Sequence, residues 1–470
     1  MSNFNSRQRK IVYGILFVLL LGPIVYLGFP AQQIAGGRDS GGLGKLAQMR
    51  SRYDLGEATL GKVDPSSSAM NLVLLGLRGP AASVLHLQAI EYQEKKQWAK
   101  LRATVDSIIL LQPHYVQIWK FQGWNLAYNV SREWDRVDDR FYWVKEGIKF
   151  LMEGTVRNNT IPILFHNVGE FVSSKMGISD EKKFFREFFR EDPDPKFDTS
   201  TGVHGPDPAI NEKGLDSYLV ARDWFFKANE KDENDGLAGV KGMTHVFFRA
   251  GPVKAQMSYA ETRAKEGFFV DHQAEWEKGY REWMDVYGKY DFLGLNEKKY
   301  KLNSSEDELK VLAKENGIKV SEQRKLWDQN VTMVNYNFWR DYADVERDPA
   351  MLEVHKAFYD AKQAYLEGKG TEDFDKETNT VIASKAQVML EKAMALWLEV
   401  QKKYPVMFED DRYISEALLM VKYWQAVHTL NARPIPSEYS LKSLWDSQGA
   451  NKQLEIERDF LMETRARKVN

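Results

Sequence analysis

Cysteine is absent from all 470 residues. That excludes disulfides, thiolate metal sites, iron–sulfur clusters and cysteine nucleophiles together. A surplus of one charge sign is also missing: 65 Lys and Arg stand against 67 Asp and Glu, a formal net charge of −2. The footprint of a general nucleic-acid binder is therefore lacking, and no nucleic-acid partner is expected. Alternating β-branched runs are scarce after residue 66, and histidine occurs only eight times. What is plentiful is aromatic surface, with 13 Trp, 21 Tyr and 25 Phe. Apolar residues at 43% and charged residues at 28% are ordinary globular usage, so wholesale disorder is ruled out. The length exceeds one typical domain and favours several domains or a repeat array.

One long uncharged run exists, Ile11 to Ala31, preceded by a 1–10 flank carrying Arg7, Arg9 and Lys10 without an acid. As a helix its 21 residues rise about 31 Å, enough for a bilayer core of roughly 30 Å. The flanking cations favour a cytoplasmic N-terminus, which puts everything after the span outside: periplasmic in a bacterium. The rival reading is a cleaved signal peptide. Such peptides have apolar regions of about 7–15 residues and small-x-small cleavage sites, and Phe29 is bulky for one. An uncleaved anchor is the expectation. Residues 32–65 then form a flexible tether and lead-in, with five glycines between Ala31 and Lys45. Gly42, Gly44 and Ala47 match a dinucleotide fingerprint in spacing, but no strand precedes them, so no cofactor is expected.

From residue 66 the apolar positions recur three and four apart, predicting an all-α chain. A repeat underlies it. Ala89 and Gly123 are 34 positions apart, and Ala89 precedes Pro113 by the same 24 positions that separate Gly169 from Pro193. This resembles the tetratricopeptide repeat (TPR), in which a small residue on helix A meets helix B and a proline closes helix B. Leu85, Tyr92, Trp98, Val105 and Ile108 fall near packing positions of the first unit, Trp119 and Gly123 open the second, and Phe165, Phe185 and Phe188 serve the third. The fit is imperfect. Leu101 stands where alanine is wanted, and Gly123 to Gly169 spans 46 residues, an insertion assigned to Ser131–Asp138.

The expected fold is a TPR-like helical-hairpin solenoid behind one transmembrane helix. Its repeats occupy 66–193, a Pro-, Gly- and Asp-rich loop or joint lies at 194–214, further hairpins fill 215–445, and a terminal helix closes 446–470. Hairpin helices are expected at 252–265 with 271–288, and at 327–346 with 349–367. Segment 303–320 predicts a short helix capped by Ser304 or Ser305, and 369–380 a polar insertion.

The block Gly76-Leu77-Arg78-Gly79-Pro80-Ala81-Ala82, followed by Gln112-Pro113 and by Trp119 through Asn129 (WKFQGWNLAYN), resembles a group of N-terminally membrane-anchored, TPR-like proteins of planctomycete-type bacteria. The resemblance runs from the anchor to about residue 445. It implies topology and fold, and brings no activity with it.

Residues able to do chemistry are scattered. His86, His114, His166, His204, His245, His272, His355 and His428 include no pair closer than 27 positions, so no local ligand cluster exists. Only a site assembled from distant positions would escape this reading, and the histidines are expected at surfaces or in hydrogen bonds. The Glu-x-x-His and H-E-x-x-H spacings are absent, as is a G-x-S-x-G elbow. The acid pairs Asp138/Asp139, Glu191/Asp192 and Asp410/Asp411 read as solvated helix ends. The stripes Phe184, Phe185, Phe188, Phe189 and Trp276, Tyr280, Trp283, Tyr287 read as core. The sequons at Asn129, Asn158, Asn303 and Asn330 would matter only in a eukaryotic lumen.

Two classes of function remain. The favoured one is a non-catalytic scaffold, without cofactor or metal, binding a protein or peptide in a concave groove. The other is a carbohydrate-active enzyme, its helices closed into an α/α toroid with paired carboxylates; a small-ligand or lipid carrier is a lesser possibility. On the scaffold reading, TPR helix A supplies ligand contacts from its fifth, ninth and thirteenth positions. Counted from Ala82, Val116 and Pro162, the fifth are His86, Lys120 and His166, the ninth Ile90, Trp124 and Glu170, and the thirteenth Glu94, Tyr128 and Ser174; of these His86, Lys120, Trp124, Tyr128, His166 and Glu170 are taken as partner contacts. A cation beside two rings suits an acidic peptide with an apolar anchor, unless Trp124 and Tyr128 are buried against the 131–138 insertion.

Overall fold

The computed structural model describes residues 78–465, except 180, 201, 235–244, 295–296 and 376–379. The expected anchor at 11–31 and the tether lie outside the described residues. Among the described residues no helix is long and apolar enough to cross a membrane. Among the described residues the chain is all-α apart from two short antiparallel strand pairs, and it divides into two compact units. The first ends at Val168 and also takes in Lys231–Asp235; the second comprises the rest. The change of unit falls inside a helix, and residues 194–214, which carry a 3₁₀ turn at Pro195–Phe197 and a short helix at Pro208–Asn211, belong to the second unit.

In the first unit, α1 (Arg78–Glu94) packs on α2 (Trp98–Leu111), and α3 (Val116–Trp124) packs on α4 (Val137–Arg157). Between α3 and α4 the chain makes a π turn, Asn125–Asn129, and a 3₁₀ turn, Val130–Glu133, where an insertion is expected. α5 (Pro162–Phe171) begins in this unit. Ala89 is buried among Leu101, Val105 and Ile108, at the closure of the α1–α2 hairpin. Glycines do the same for α3 and α4. A Cβ on Gly123 would sit 2.7 Å from Leu151 Cγ, and one on Gly147 would sit 2.7 Å from the Gly123 carbonyl oxygen. Trp119 donates its indole N–H to the Pro113 carbonyl at 2.9 Å, tying the segment before α3 to that helix.

The second unit runs through α6 (Lys182–Arg190), α7 (Pro208–Asn211) and α8 (Ser217–Asn234, to Glu230), then α9 (His245–Arg249), α10 (Gly251–Lys265) and α11 (His272–Arg281). A π turn, Glu282–Tyr287, extends α11. Strands β1 (Phe292–Leu293) and β2 (Lys299–Tyr300) follow, then α12 (Glu306–Asn316), α13 (Val320–Met333), α14 (Tyr336–Glu346) and α15 (Pro349–Leu366). After β3 (Asp373–Asp375) and β4 (Thr380–Ile382) come α16 (Lys385–Lys403), α17 (Asp411–Leu430), α18 (Lys442–Ser447) and α19 (Ala450–Arg465). Gly169 meets Phe225 and Ala221 of α8, so this small position serves a helix crossing other than the expected one with α6.

Several expectations are corrected in detail. The 327–346 helix is two helices, because Asn335 adopts φ +52° and turns the chain between α13 and α14. The polar insertion folds as the β3–β4 hairpin. The Phe184 stripe is only half core: Phe185 and Phe189 are buried, while Phe184 is exposed. Asp192 is buried and accepts the Asp194 backbone N–H at 3.0 Å, so it is no solvated helix end. The other stripe behaves as expected. Trp276, Trp283 and Tyr287 are buried, and Trp283 and Tyr336 each donate to the other's backbone carbonyl, at 3.1 and 3.2 Å. Ser305 caps α12 in a reciprocal box with Glu308, and Gly317 ends it in the left-handed conformation. All four sequon asparagines donate their side-chain amide to internal acceptors.

Candidate functional site

The residues selected for the partner face occupy different environments. His86 is half-buried, with Nδ1 3.0 Å from the Tyr115 hydroxyl and its ring edge-on to Phe121. It braces α1 against α3. Lys120 is half-buried on α3. One turn later Trp124 is 43% exposed, stacked on Tyr128 at 5.8 Å and 13°. The alternative that the 131–138 insertion buries this indole does not hold. Glu170 is exposed on α5 but belongs to the second unit.

His166 is buried, and desolvation, aided by the Lys120 ammonium, pushes its pKa down to about 4. Imidazole free in an unfolded chain titrates near 6.5. Between these values the unfolded chain takes up a proton that the folded one refuses. His166 therefore subtracts stability from the first unit as pH falls through 6.5, by about 2–3 kcal/mol at pH 4.5. Urea denaturation at pH 7 and pH 4.5 should show His166→Gln losing that much less than the parent. Equal losses would mean that the imidazole is charged in the fold.

A second constellation arises in the other unit from residues that are remote in sequence. His272 opens α11, Glu346 ends α14, and His355 lies in the second turn of α15. Each falls on an apolar face: His272 one turn before Trp276, Glu346 one turn after Tyr342, and His355 between Met351 and Phe358. Burial follows from that placement. His272 is 0% and Glu346 3% exposed. His355 and Glu416 of α17 keep 16% and 20% of their side chains in contact with water.

His355 is held at both nitrogens, Nε2 at 2.9 Å from Glu346 Oε2 and Nδ1 at 2.8 Å from Glu416 Oε1. Burial alone would depress its pKa, yet the Glu416 and Glu346 carboxylates together hold it well above the usual imidazole range. Burial likewise opposes ionisation of Glu416, and the His355 charge overcomes it, leaving that carboxyl below its ordinary value. His355 is thus an imidazolium donating both N–H groups. Glu346 Oε1 accepts the Tyr413 hydroxyl at 3.0 Å.

His272 is the opposite case. Desolvation and the neighbouring His355 charge push its pKa down to about 4, so it is neutral. Nδ1 lies 3.2 Å from the Ala260 carbonyl of α10 and carries the proton that this bond requires. Nε2 has no hydrogen-bond partner among the described residues. The two imidazoles meet edge to face at 5.7 Å. Glu346 and Glu416 both bond the one histidine, an arrangement unlike carboxyls facing across a cleft.

The sequence reading missed this constellation because His272 and His355 are 83 positions apart. The legible signal was a titratable group on an apolar helix face, since a buried imidazole needs partners from another element. No family model matches the chain, and no curated protein is significantly similar to it.

Proposed function

We propose that this chain is a membrane-tethered, extracytoplasmic helical-repeat scaffold of TPR-like build that binds a protein or peptide partner without catalysis. The observation that carries the reading is Trp124, a large ring left 43% exposed and stacked on Tyr128, with Lys120 one turn behind it. Rings of this kind supply desolvated area at interface centres, and an adjacent ammonium favours an acidic partner group. On this reading residues 11–31 hold the array at the membrane, and the small residues Ala89 and Gly123 close its hairpins. His86 and His166 then support the face from within the first unit, while Lys120, Trp124 and Tyr128 contact the partner.

A membrane-impermeant crosslinker added to intact spheroplasts tests topology and binding together. The parent chain should be captured in a defined adduct. Lys120→Glu should reduce that adduct severalfold at an unchanged melting temperature. An adduct unaffected by Lys120→Glu and by Trp124→Ala would remove this face from consideration, and failure to label the chain until lysis would refute the orientation.

A further inference from the structure

We propose that His272, Glu346 and His355 form a binding site for one divalent first-row transition ion. The three offer one ligand atom each, all within 4.8 Å of one another. A zinc ion with ligands at about 2.0–2.2 Å in tetrahedral array holds its donors about 3.3–3.6 Å apart. Adjustments of an ångström or so in two side chains would close the triad on an ion. Two imidazoles with one carboxylate are a donor set that zinc and its neighbours in the series accept, with the fourth position left to water.

The surroundings match what such a site needs beyond its ligands. Metal-bound histidines hand their second N–H to a carboxylate or a backbone carbonyl, which fixes the tautomer and aims the lone pair. His355 Nδ1 bonds Glu416, and His272 Nδ1 bonds the Ala260 carbonyl. Glu346, whose Oε2 now meets His355, is steadied through Oε1 by Tyr413. Each of the three ligands thus has its own supporting hydrogen bond from outside the triad, and the supports come from α10 and α17. A route for the ion exists where His355 and Glu416 meet water.

A purely structural ion network explains part of this arrangement. The Glu346–His355–Glu416 bridge stands without a metal. It leaves His272 unexplained, because a fully buried imidazole nitrogen without a partner costs about 1–3 kcal/mol. An ion facing Nε2 removes that cost. The charges balance as well. Imidazolium His355 with carboxylates Glu346 and Glu416 sums to −1; a divalent ion that displaces the Nε2 proton of His355 brings the site to neutrality, and the proton leaves to solvent.

The test is zinc titration of the full chain, stripped with a chelator and read against a competing chromophoric chelator. We expect one saturable equivalent, and a rise in melting temperature on loading, since the ion binds only the folded state. His272→Ala should weaken binding at least 100-fold. Tyr413→Phe, which removes only the support of Glu346, should weaken it about 10-fold. Should His272→Ala fail to fold, His272→Gln keeps most of the volume and serves instead. Cobalt(II) gives an independent readout on the parent chain alone: a visible band more intense than that of the aqueous ion, from low-symmetry nitrogen and oxygen coordination. Zinc uptake that survives His272→Ala and Glu346→Gln, or is lost instead in His204→Ala, would overturn the assignment. So would a cobalt spectrum identical to that of the aqueous ion.

Discussion

Metal-free His355→Leu should lose about 3–5 kcal/mol of stability in the second unit, the cost found when one partner of a buried ion pair is removed. The loss comes less from the missing bonds than from what stays behind. Glu346 and Glu416 were each within 3 Å of the imidazolium, and Glu346 is almost wholly excluded from water. Without the cation, two carboxylates share a low-dielectric space, and one must take up a proton or draw in solvent. Adding Glu346→Gln and Glu416→Gln to His355→Leu should therefore restore much of the loss, because neutral amides carry no stranded charge. Full-chain calorimetry reads both results. If the triple variant is no better than the single one, packing and not charge is what His355 supplies.

The same group sets a pH signature. The folded pKa of His355 lies above its unfolded value of about 6.5, so its contribution is fully present below pH 6.5 and declines as pH rises towards the folded value. Glu416 has a lowered folded pKa, so its share is present above about 4.5 and lost on acidification. As pH rises above 6.5 the parent should lose up to about 1.4 kcal/mol per pH unit from this source, and His355→Leu should not. The comparison belongs in that range. Below it His272 also titrates, and its pKa is itself depressed by the His355 charge. Lys265 and Glu261 act on the cluster electrostatically and hold each other charged, the carboxyl lowered and the ammonium raised.

Local rules were legible in the sequence where one element decides the outcome. The cap at Ser305 depends on two residues three apart, and the structure forms it. The Trp276–Tyr287 stripe depends on helical spacing and is core. Ala89 and Gly123 announce hairpin closure because small residues at such spacing have few other uses. What failed was whatever depends on a second element. Asn335 breaks 327–346 through a left-handed conformation that its sequence neighbours do not demand. Phe184 shares its turn with Phe185, yet the core lies on one side only. The polar 369–380 stretch pairs with itself, which composition does not disclose. The His272–Glu346–His355 constellation draws on three helices, and no spacing rule reaches across 83 positions. Of the residues selected for a partner face, Trp124 is exposed, while His86 and His166 are committed to internal contacts.

Glycines at the α3–α4 crossing separate two kinds of tight packing, and the largest effect expected in the first unit is at Gly147. An alanine there gains up to about 1 kcal/mol of helix propensity. Its Cβ, however, would lie 2.7 Å from the Gly123 carbonyl oxygen and 2.9 Å from both the nitrogen and the Cβ of Ala127. Two of those atoms are backbone of a helix and cannot rotate aside, so α3 and α4 must separate. Separation loosens Trp119, which is wholly buried and whose ring a Cβ on Gly154 of α4 would approach to 3.0 Å. The propensity gain is outweighed, and Gly147→Ala should cost about 1–3 kcal/mol net, with Gly147→Leu preventing the pair from closing. At Gly123 the obstacle is the Leu151 side chain, 2.7 Å away at Cγ, which a change of rotamer can relieve. Gly123→Ala should thus be near neutral, Gly123→Leu should cost about 1–3 kcal/mol, and Leu151→Ala should improve the fit of Gly123→Leu. No truncation in α3 rescues Gly147→Ala, because a carbonyl oxygen cannot be deleted. Urea denaturation of the set measures the order. If Gly147→Ala is as stable as the parent, the two helices do not approach at this glycine, and the register of the second hairpin is different from the one described.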